Sequence, residues 1–280
     1  MNITDKSGDT PDTTITTTKL AAALAKIKGE DFDILFVAAI LTDAFLPIIT
    51  NFLDECFELK YPAGYVGCLQ GASDAANVTS AGLAGEHSYG LITQRLKVNG
   101  VLLSILRSAA YYCGVLAGMN VGNSMTMKVV PNVAGVSPEY SFETGGSGKT
   151  LLEAGITTFK CQDRGNGRYI VVNSEQPNGY DLYINRVRNF VVKQLSLQQF
   201  LGERNNNATV NEIKQEIERV KAMCVDTLDL LEDINFTVNK KDATTVEIHI
   251  DSLLFAGIIT EIDVYVRVEL DENNTEEDGE

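Results

Sequence analysis

The stretch DILFVAAILTDAFLPIITNFLDECFELKYPAGYVGCL, residues 33–69, decides the fold of the front half of the chain. Asp33 to Leu41 carries a continuous apolar run, which is typical of a β-strand buried on both faces. From Asp43 to Leu59 apolar residues recur at helical spacing, and Asp43 is the predicted N-terminal cap of that helix. Gly64 to Leu69 is a second apolar run. Strand, helix and strand in this order predict α/β architecture at this end of the chain.

On either side of this segment the pattern favours helices and loops. Leu20, Leu24 and Ile27 predict a short amphipathic helix before the first strand. Residues 71–89 are rich in Ala, Gly, Ser and Asn and predict a loop with a short helix. Residues 101–119 contain many small residues and predict a helix that packs deep in the core.

The second half of the chain predicts a hairpin, two helices and a strand. Runs of β-forming residues at 156–161 and 168–173 flank Gly165-Asn166-Gly167 and predict the hairpin. One helix is predicted from Asp181 to Leu201. The next begins at Thr209, where Thr209 and Glu212 have the spacing of a capping box. Its predicted inner face consists of Ile213, Ile217, Val220, Cys224 and Leu228. With a strand over 244–250, the predicted fold class is α+β, a mixed β-sheet core flanked by helices.

Residues 261–270, EIDVYVRVEL, alternate polar and apolar side chains without an error. This period of two predicts a half-buried strand, whose apolar face consists of Ile262, Val264, Val266, Val268 and Leu270. Asp271 to Glu280 is acidic and predicted to be disordered. The strand needs a neighbouring edge, either at home beside residues 244–250 or in another copy of the chain. Residues 251–260 lack a tight-turn signal, and Gly257 is a predicted hinge, so we favour a C-terminal β-strand arm that exchanges with neighbouring subunits.

Composition excludes several classes of protein. The formal net charge of −15 argues against nucleic acid as a partner, because phosphate binding needs clustered Lys and Arg. The five cysteines are scattered without metal-ligand spacing and are predicted to be buried free thiols. Residues 98–119 contain Arg107 and several polar residues, which indicates a buried helix rather than membrane insertion. The N-terminus does not have the pattern of a signal peptide.

Candidate catalytic groups are few. His87 is predicted to lie on a plain surface loop, and His249 on the outward, solvated face of a strand. Gly145 to Thr150 ends like a phosphate-binding loop, but Glu143 stands where that motif requires glycine, so a flexible Gly/Ser loop is predicted. The sequence predicts no catalytic residue, no cofactor and no metal site. Arg186, Arg188 and Lys193 form a basic row, either a solvated face or a row of ion pairs with an acidic partner.

Three stretches carry a resemblance to a known family. A helix rich in small residues, 109–118, leads to Ser124-Met125-Thr126-Met127-Lys128, an S-x-T-x-K stretch. Leu151 to Ile156 is similar to an L-x-x-x-G-I step into a hairpin, and Tyr183 to Arg188 to a helix with basic residues soon after it. From about Gly114 to Val268, the order and spacing of the elements resemble the tail sheath proteins of contractile phage tails and related injection systems.

The resemblance implies a structural subunit without a catalytic site. Such subunits form a homo-oligomer, a helical stack of hexameric rings around an inner tail tube, and contract to drive the tube through a target envelope. Implied partners are the tail tube protein and the baseplate and tail-terminator proteins. The implied location is a virion tail sheath assembled in the host cytoplasm. Weaker alternatives are another self-assembling virion or baseplate protein, and a nucleotide-binding protein that uses Gly145 to Thr150.

The sequence pattern also suggests how the chain is divided. Residues 1–30 are expected to form a flexible arm with a short helix, 31–255 the α+β core, 256–270 the strand arm, and 271–280 an acidic tail. The candidates for contact with the tube are Arg186, Arg188, Lys214, Arg219 and Lys221.

Overall fold

The computed structural model describes residues 15–163, 167–195 and 197–255. The α+β fold class is confirmed. Within these ranges the helices are α1 (Thr17–Ala25), α2 (Leu46–Glu58), α3 (Asp74–Ala81), α4 (Ile105–Ala117), α5 (Ser147–Glu153), α6 (Leu182–Gln194) and α7 (Asn207–Ala222). The strands are β1 (Ile34–Leu41), β2 (Gly64–Leu69), β3 (Ser88–Ile92), β4 (Arg95–Val98), β5 (Val101–Leu102), β6 (Val133–Ser137), β7 (Phe159–Asp163), β8 (Arg168–Val171), β9 (Asp233–Lys240) and β10 (Val246–Leu254).

The front half is a parallel sheet of order β1-β2-β3 with helices on both faces. Tyr65 and Leu69 of β2 point into one apolar cluster with α2 and the end of α3. Val66 and Cys68 point into a second cluster with α4. Because alternate residues of a strand face opposite sides, the two clusters lie on opposite faces of the sheet. The predicted strand–helix–strand order is confirmed, and β2 is buried along its whole length.

Two details of the front half differ from prediction. β1 is not buried on both faces, since Ala38 and Ile40 are exposed. In the described residues β1 pairs with β2 alone, and one face of its C-terminal half lies in solvent. Asp43 does not cap α2, because that helix begins three residues later, after Phe45. Its carboxylate accepts a hydrogen bond from the hydroxyl of Ser80 instead, at 2.5 Å.

An antiparallel sheet of order β5-β4-β6 follows the parallel one. The predicted helix over 101–119 is shorter than expected, because Val101 and Leu102 pair with β4. The predicted hairpin is confirmed as the antiparallel pair β7 and β8. The prediction of a flexible loop at Gly145 to Thr150 is wrong, since α5 begins at Ser147. Gly148 is buried so closely against Phe142 that an added Cβ would lie 2.7 Å from its ring.

The second half is built on α6, α7 and the β9–β10 hairpin. α6 ends at Gln194 rather than Leu201, and a 3₁₀ turn, Gln198–Phe200, follows. The capping box at Thr209 is wrong, because Asn206 caps α7 by accepting from the backbone of residues 208 and 209 at 2.8 and 3.0 Å. The predicted inner face of α7 is buried except for Leu228, which is 44% exposed. A π-helical turn at Met223–Thr227 precedes Leu228 and rotates this residue away from the buried face of the helix.

No disulfide joins any two of the five cysteines, all of which lie in the described residues. Cys56, Cys68 and Cys224 are buried, as predicted, whereas Cys113 and Cys161 are only half-buried. Burial raises the pKa of the Cys68 thiol to about 11. In the described part of the chain, no helix has the length and apolar character needed to span a membrane.

The difference in burial predicts an order of thiol reactivity, because a reagent must reach the sulfur. We expect a thiol reagent to modify Cys113 and Cys161 in the folded protein at pH 8, and Cys68 only after denaturation. Peptide mass spectrometry after timed labelling measures this order. Labelling of Cys68 as fast as that of Cys113 would contradict it.

Candidate assembly surface

The β9–β10 hairpin is a two-stranded sheet that α7 covers on one face. Its register runs from Val246 opposite Lys240 to Leu254 opposite Asp233. Ile213 and Ile217 of α7 pack with Val238 of β9, and Ile248 and Ile250 of β10 lie against this cluster. The apolar side of the hairpin is therefore used inside the subunit.

The opposite face of the hairpin is polar. The hydroxyl of Thr237 donates to Asp251 at 2.6 Å, and the amide of Asn235 donates to Ser252 at 2.9 Å. His249 is exposed and lies 3.5 Å from Glu247, so the prediction of a solvated strand face is confirmed. This face is hydrated surface.

The two outer edges of the hairpin carry backbone groups that could pair with another strand. In the described residues β9 and β10 pair only with each other, so each strand has one edge without a β partner. Two strands alone make a marginal sheet, and free edges are templates for another strand. β10 was predicted over 244–250, and its partner β9 was not predicted.

The residue at which the chain leaves this sheet is anchored to the core. Phe255, directly after β10, packs edge-to-face on Tyr183 of α6, with ring centroids 5.6 Å apart. This contact fixes the point from which residues 256–280 continue. The predicted arm residues Ile262, Val264, Val266, Val268 and Leu270 and the predicted hinge Gly257 lie outside the described residues, so those assignments stay predictions.

The N-terminal segment is anchored by one lysine of α6. The ammonium of Lys193 lies 2.7 Å from a carboxylate oxygen of Asp31 and of Asp33, and 2.9 Å from the carbonyl of Phe32. The Lys193 side chain is only 11% exposed. Leu20 and Leu24 of α1 are buried in the same cluster as α2. The base of the N-terminal arm is thus tied to the core.

Replacing Lys193 with methionine is expected to lower the free energy of unfolding by about 1–2 kcal/mol, because charge-assisted hydrogen bonds are lost while both aspartates stay solvated. Equilibrium urea unfolding measures the change. Lys214→Met is the matched control, because Lys214 lies on the exposed side of α7. Its free energy of unfolding is expected to change by no more than about 0.5 kcal/mol. Equal losses in the two variants would contradict the anchor.

The basic row on α6 is not a solvated face, because its side chains are engaged by groups of the same subunit. Arg186 is 7% exposed, and its guanidinium donates to the carbonyls of Met119 and Asn120 at 3.0 and 3.3 Å. Burial lowers its pKa. Arg188 pairs with Glu86 at 2.9 Å and stacks over Phe57. Together with Lys193, these side chains hold the subunit together.

The predicted cations of α7 are more accessible. Lys214 is exposed, Arg219 pairs with Glu216 on its own helix, and Lys221 bonds to Asp233 at 2.6 Å. The hydrogen bond to Asp233 raises the pKa of Lys221 and lowers that of Asp233. Contact with a tube is not tested by this structure and stays a prediction for all five cations.

The S-x-T stretch has a structural role that was not predicted. The hydroxyls of Ser124, Thr126 and Ser174 donate to one carboxylate oxygen of Asp181, at 2.9, 2.8 and 2.7 Å. The other oxygen accepts from the backbone N–H of Tyr183 and caps α6. This polar cluster, in which Ser174 is buried and the other side chains are half-buried, locks the start of α6 to the segment after α4.

The prediction that His87 lies on a surface loop is wrong. The histidine is 2% exposed, and its Nε2 lies 2.8 Å from the carboxylate of Asp54 on α2. Glu86, His87 and Asp54 bring three possible metal ligands within 4.8 Å of one another. Nδ1 of the ring is buried without a partner, whereas a metal on Nε2 would place an N–H there. The ring is therefore better suited to donating from Nε2 to Asp54 than to binding a metal.

Comparison with known proteins gives the fold a context. No protein-family model matches the chain, and no curated protein matches it. Among solved structures, the sheath tail protein of Desulfitobacterium hafniense superposes with a TM-score of 0.66 over 92% of this chain, at 18% identity. The chain has the sheath fold. It spans 61% of the length of that protein.

The sheath fold also occurs in two assemblies of the anti-feeding prophage. A chain of its contracted helical sheath matches with a TM-score of 0.61 over 94% of this chain and 76% of its own length, at 14% identity. A chain of its baseplate matches with a TM-score of 0.60 over 90% of this chain and 73% of its own length, at 12% identity. The resemblance found in the sequence is confirmed at the level of the fold.

Proposed function

We propose that this protein is a structural subunit of a contractile tail sheath. The observation that carries the proposal is the sheath fold, which extends over 92% of the chain in the superposition on the Desulfitobacterium hafniense protein. In this proposal the subunits stack as hexameric rings around a tube of a different protein, and the stack contracts. The partners are further copies of the chain, the tube protein, and the baseplate and tail-terminator proteins. The proposed location is a virion tail assembled in the host cytoplasm.

The proposed link between subunits is addition of the 261–270 strand to a neighbour's sheet. The outer edges of β9 and β10 have no β partner in the described residues, and their main-chain donors and acceptors are the groups that strand addition uses for cohesion. Residues 261–270 are ten residues, one more than the nine of β10. The strict alternation of the segment fixes its register, because a one-residue slip would turn every apolar side chain to the other face.

Magnitudes favour the apolar face of the arm over ion pairs as the source of cohesion. Burying each of its five aliphatic side chains is worth about 1.5–3 kcal/mol, against about 0–1 kcal/mol for a rim salt bridge. Ordering the arm takes back a large part of that gain, at about 1–2 kcal/mol per residue of backbone. The net attraction per link is modest, so a stable lattice needs many links at once.

Contact with the tube is proposed for the exposed side of α7. Lys214 is exposed and has no ion-pair partner in the described residues, and Arg219 is exposed although it pairs with Glu216. Arg186 is less suited to this role because the subunit's own carbonyls occupy its guanidinium.

Electron microscopy of the purified protein, alone and with its candidate tube protein, tests the proposal. We expect cylinders or stacked rings, either spontaneously or on the tube as template. Closed shells or plates would favour another kind of virion structural protein. A protein that stays monomeric with the tube at every concentration would overturn the sheath assignment.

A further inference from the structure

A small cavity lies between α6, β3 and the residue that leads into β1. Its volume of about 20 Å³ is enough for one water molecule and too little for an organic ligand. Four polar residues contribute to its wall, and the rest of the wall is apolar. The polar residues are Asp33, Tyr89, Arg186 and Asn189.

The amide of Asn189 has one buried atom without a partner at this cavity. Asn189 is 3% exposed, and its Nδ2 donates to the hydroxyl of Tyr89 at 2.8 Å. Its Oδ1 is buried and accepts no hydrogen bond from the described residues. Buried side-chain oxygens in folded proteins are nearly always hydrogen-bonded, either to protein or to ordered water. Oδ1 therefore indicates that a donor occupies the cavity.

The hydroxyl of Tyr89 has a hydrogen to donate at the same place. Tyr89 is 2% exposed, and its oxygen accepts from Asn189 but donates to none of the described residues. Burial raises the pKa of Tyr89, so the hydroxyl keeps its hydrogen at neutral pH. The hydroxyl is thus a donor beside the acceptor of Asn189.

Arg186 and Asp33 bring opposite charges to the cavity wall. Arg186 is 7% exposed and forms no salt bridge within the described residues, where its guanidinium donates to two carbonyls. Asp33 pairs with Lys193 and keeps most of its side chain in solvent. Because both residues line one cavity, a single bound molecule can accept from the guanidinium and donate to the carboxylate.

The wall therefore offers two donors and two acceptors. The donors are the guanidinium of Arg186 and the hydroxyl of Tyr89, and the acceptors are Oδ1 of Asn189 and the carboxylate of Asp33. A bound anion would need donors alone, and a metal cation would need acceptors alone. Water both accepts and donates, and buried waters make two to four hydrogen bonds.

We propose that this cavity binds one structural water molecule, which joins α6 to β3 and to the base of the N-terminal arm. The water accepts from Arg186 and Tyr89 and donates to Asn189 and Asp33. It bridges a buried guanidinium to a carboxylate that it does not contact directly. The site lies within one subunit, so its test does not depend on assembly.

A crystal structure of the full chain that shows ordered solvent tests the site. We expect a density peak within about 3.2 Å of both Oδ1 of Asn189 and the hydroxyl of Tyr89. A second crystal, soaked in sodium bromide, tests for an anion, because bromide scatters anomalously. Absence of a peak in the cavity would overturn the proposal, and so would an anomalous bromide peak there. Nuclear Overhauser effects between water and the Nδ2 protons of Asn189 give the same readout in solution.

Two variants of Asn189 separate the need for an acceptor from the shape of the cavity. Asn189→Leu removes the acceptor at similar volume and is expected to lose the water. Asn189→Asp keeps an oxygen at the position of Oδ1 and is expected to retain it. Circular dichroism verifies that each variant folds. Water at full occupancy in the Asn189→Leu crystal would contradict the role given to this acceptor.

Tyr65→Phe is the matched control. Tyr65 is fully buried, and its hydroxyl donates to the carbonyl of Ala84, away from the cavity wall. This variant is expected to keep the water, whereas Tyr89→Phe removes one of its donors and is expected to lower its occupancy. Equal loss of the water in the two variants would overturn the assignment, because loss of any buried hydroxyl would then suffice.

Discussion

A chain that ends at Ile258 is expected to fold and to form no ordered cylinders. All the described residues remain in this truncation, including the β9–β10 hairpin and the contact of Phe255 with Tyr183. The lost part is residues 259–280, which contain the predicted exchange strand. Electron microscopy scores assembly, and thermal unfolding with circular dichroism scores the fold. Cylinders of normal appearance from the truncated chain would refute strand exchange by this segment.

Single substitutions separate the strand from the acidic tail. Val266→Asp places a charge on the predicted apolar face of the arm and is expected to abolish cylinders. Arg267→Asp changes the adjacent residue on the polar face and is expected to leave them intact. Removing residues 271–280 alone is also expected to preserve assembly. If Val266→Asp and Arg267→Asp act alike, the segment works through its charge and not as an alternating strand.

The parts of the fold that were predicted are those where one strand or helix carries its own apolar pattern. β2 is an apolar run because helices cover both of its faces, and α2 has a clear stripe because one side packs on the sheet. β9 was missed although Ile234, Phe236 and Val238 alternate with polar residues. The signal of a second strand beside β10 was present in the sequence.

Other elements depend on contacts that no local pattern shows. β3 begins with Ser88, Tyr89 and Gly90, which predict a loop. Gly90 lies so close to Tyr112 that an added Cβ would be 2.6 Å from its ring. Packing against α4 therefore selects the strand, and the burial of His87 has a similar origin in its contact with α2.

The candidate sites likewise depend on contacts between distant parts of the chain, which no local pattern shows. A row of basic residues on one helix looks the same in sequence whether it faces solvent or its own core. Arg186 and Lys193 are engaged by groups 66 or more positions away along the chain.

Replacing Asp181 with alanine is expected to lower the free energy of unfolding by about 2–4 kcal/mol, because a helix cap and the acceptor for three hydroxyls are lost together. Ser174 is fully buried, so its hydroxyl cannot turn to water when the carboxylate is removed. Ser124 and Thr126 are half-buried and regain part of their hydration. Urea unfolding followed by circular dichroism measures the loss.

Two further variants assign the loss to the polar cluster. Asp181→Asn keeps Oδ1 as the cap of α6 but presents an amide to the three hydroxyls, so its stability is expected to lie between those of the aspartate and alanine forms. Asp242→Ala removes an exposed carboxylate that also accepts from backbone N–H groups, those of residues 244 and 245, and is expected to cost less. If Asp181→Ala and Asp242→Ala cost the same, local capping alone accounts for the role of Asp181. A larger cost for Asp181→Ala, partly restored by asparagine, shows that the S-x-T stretch is needed because it joins the segment after α4 to the start of α6.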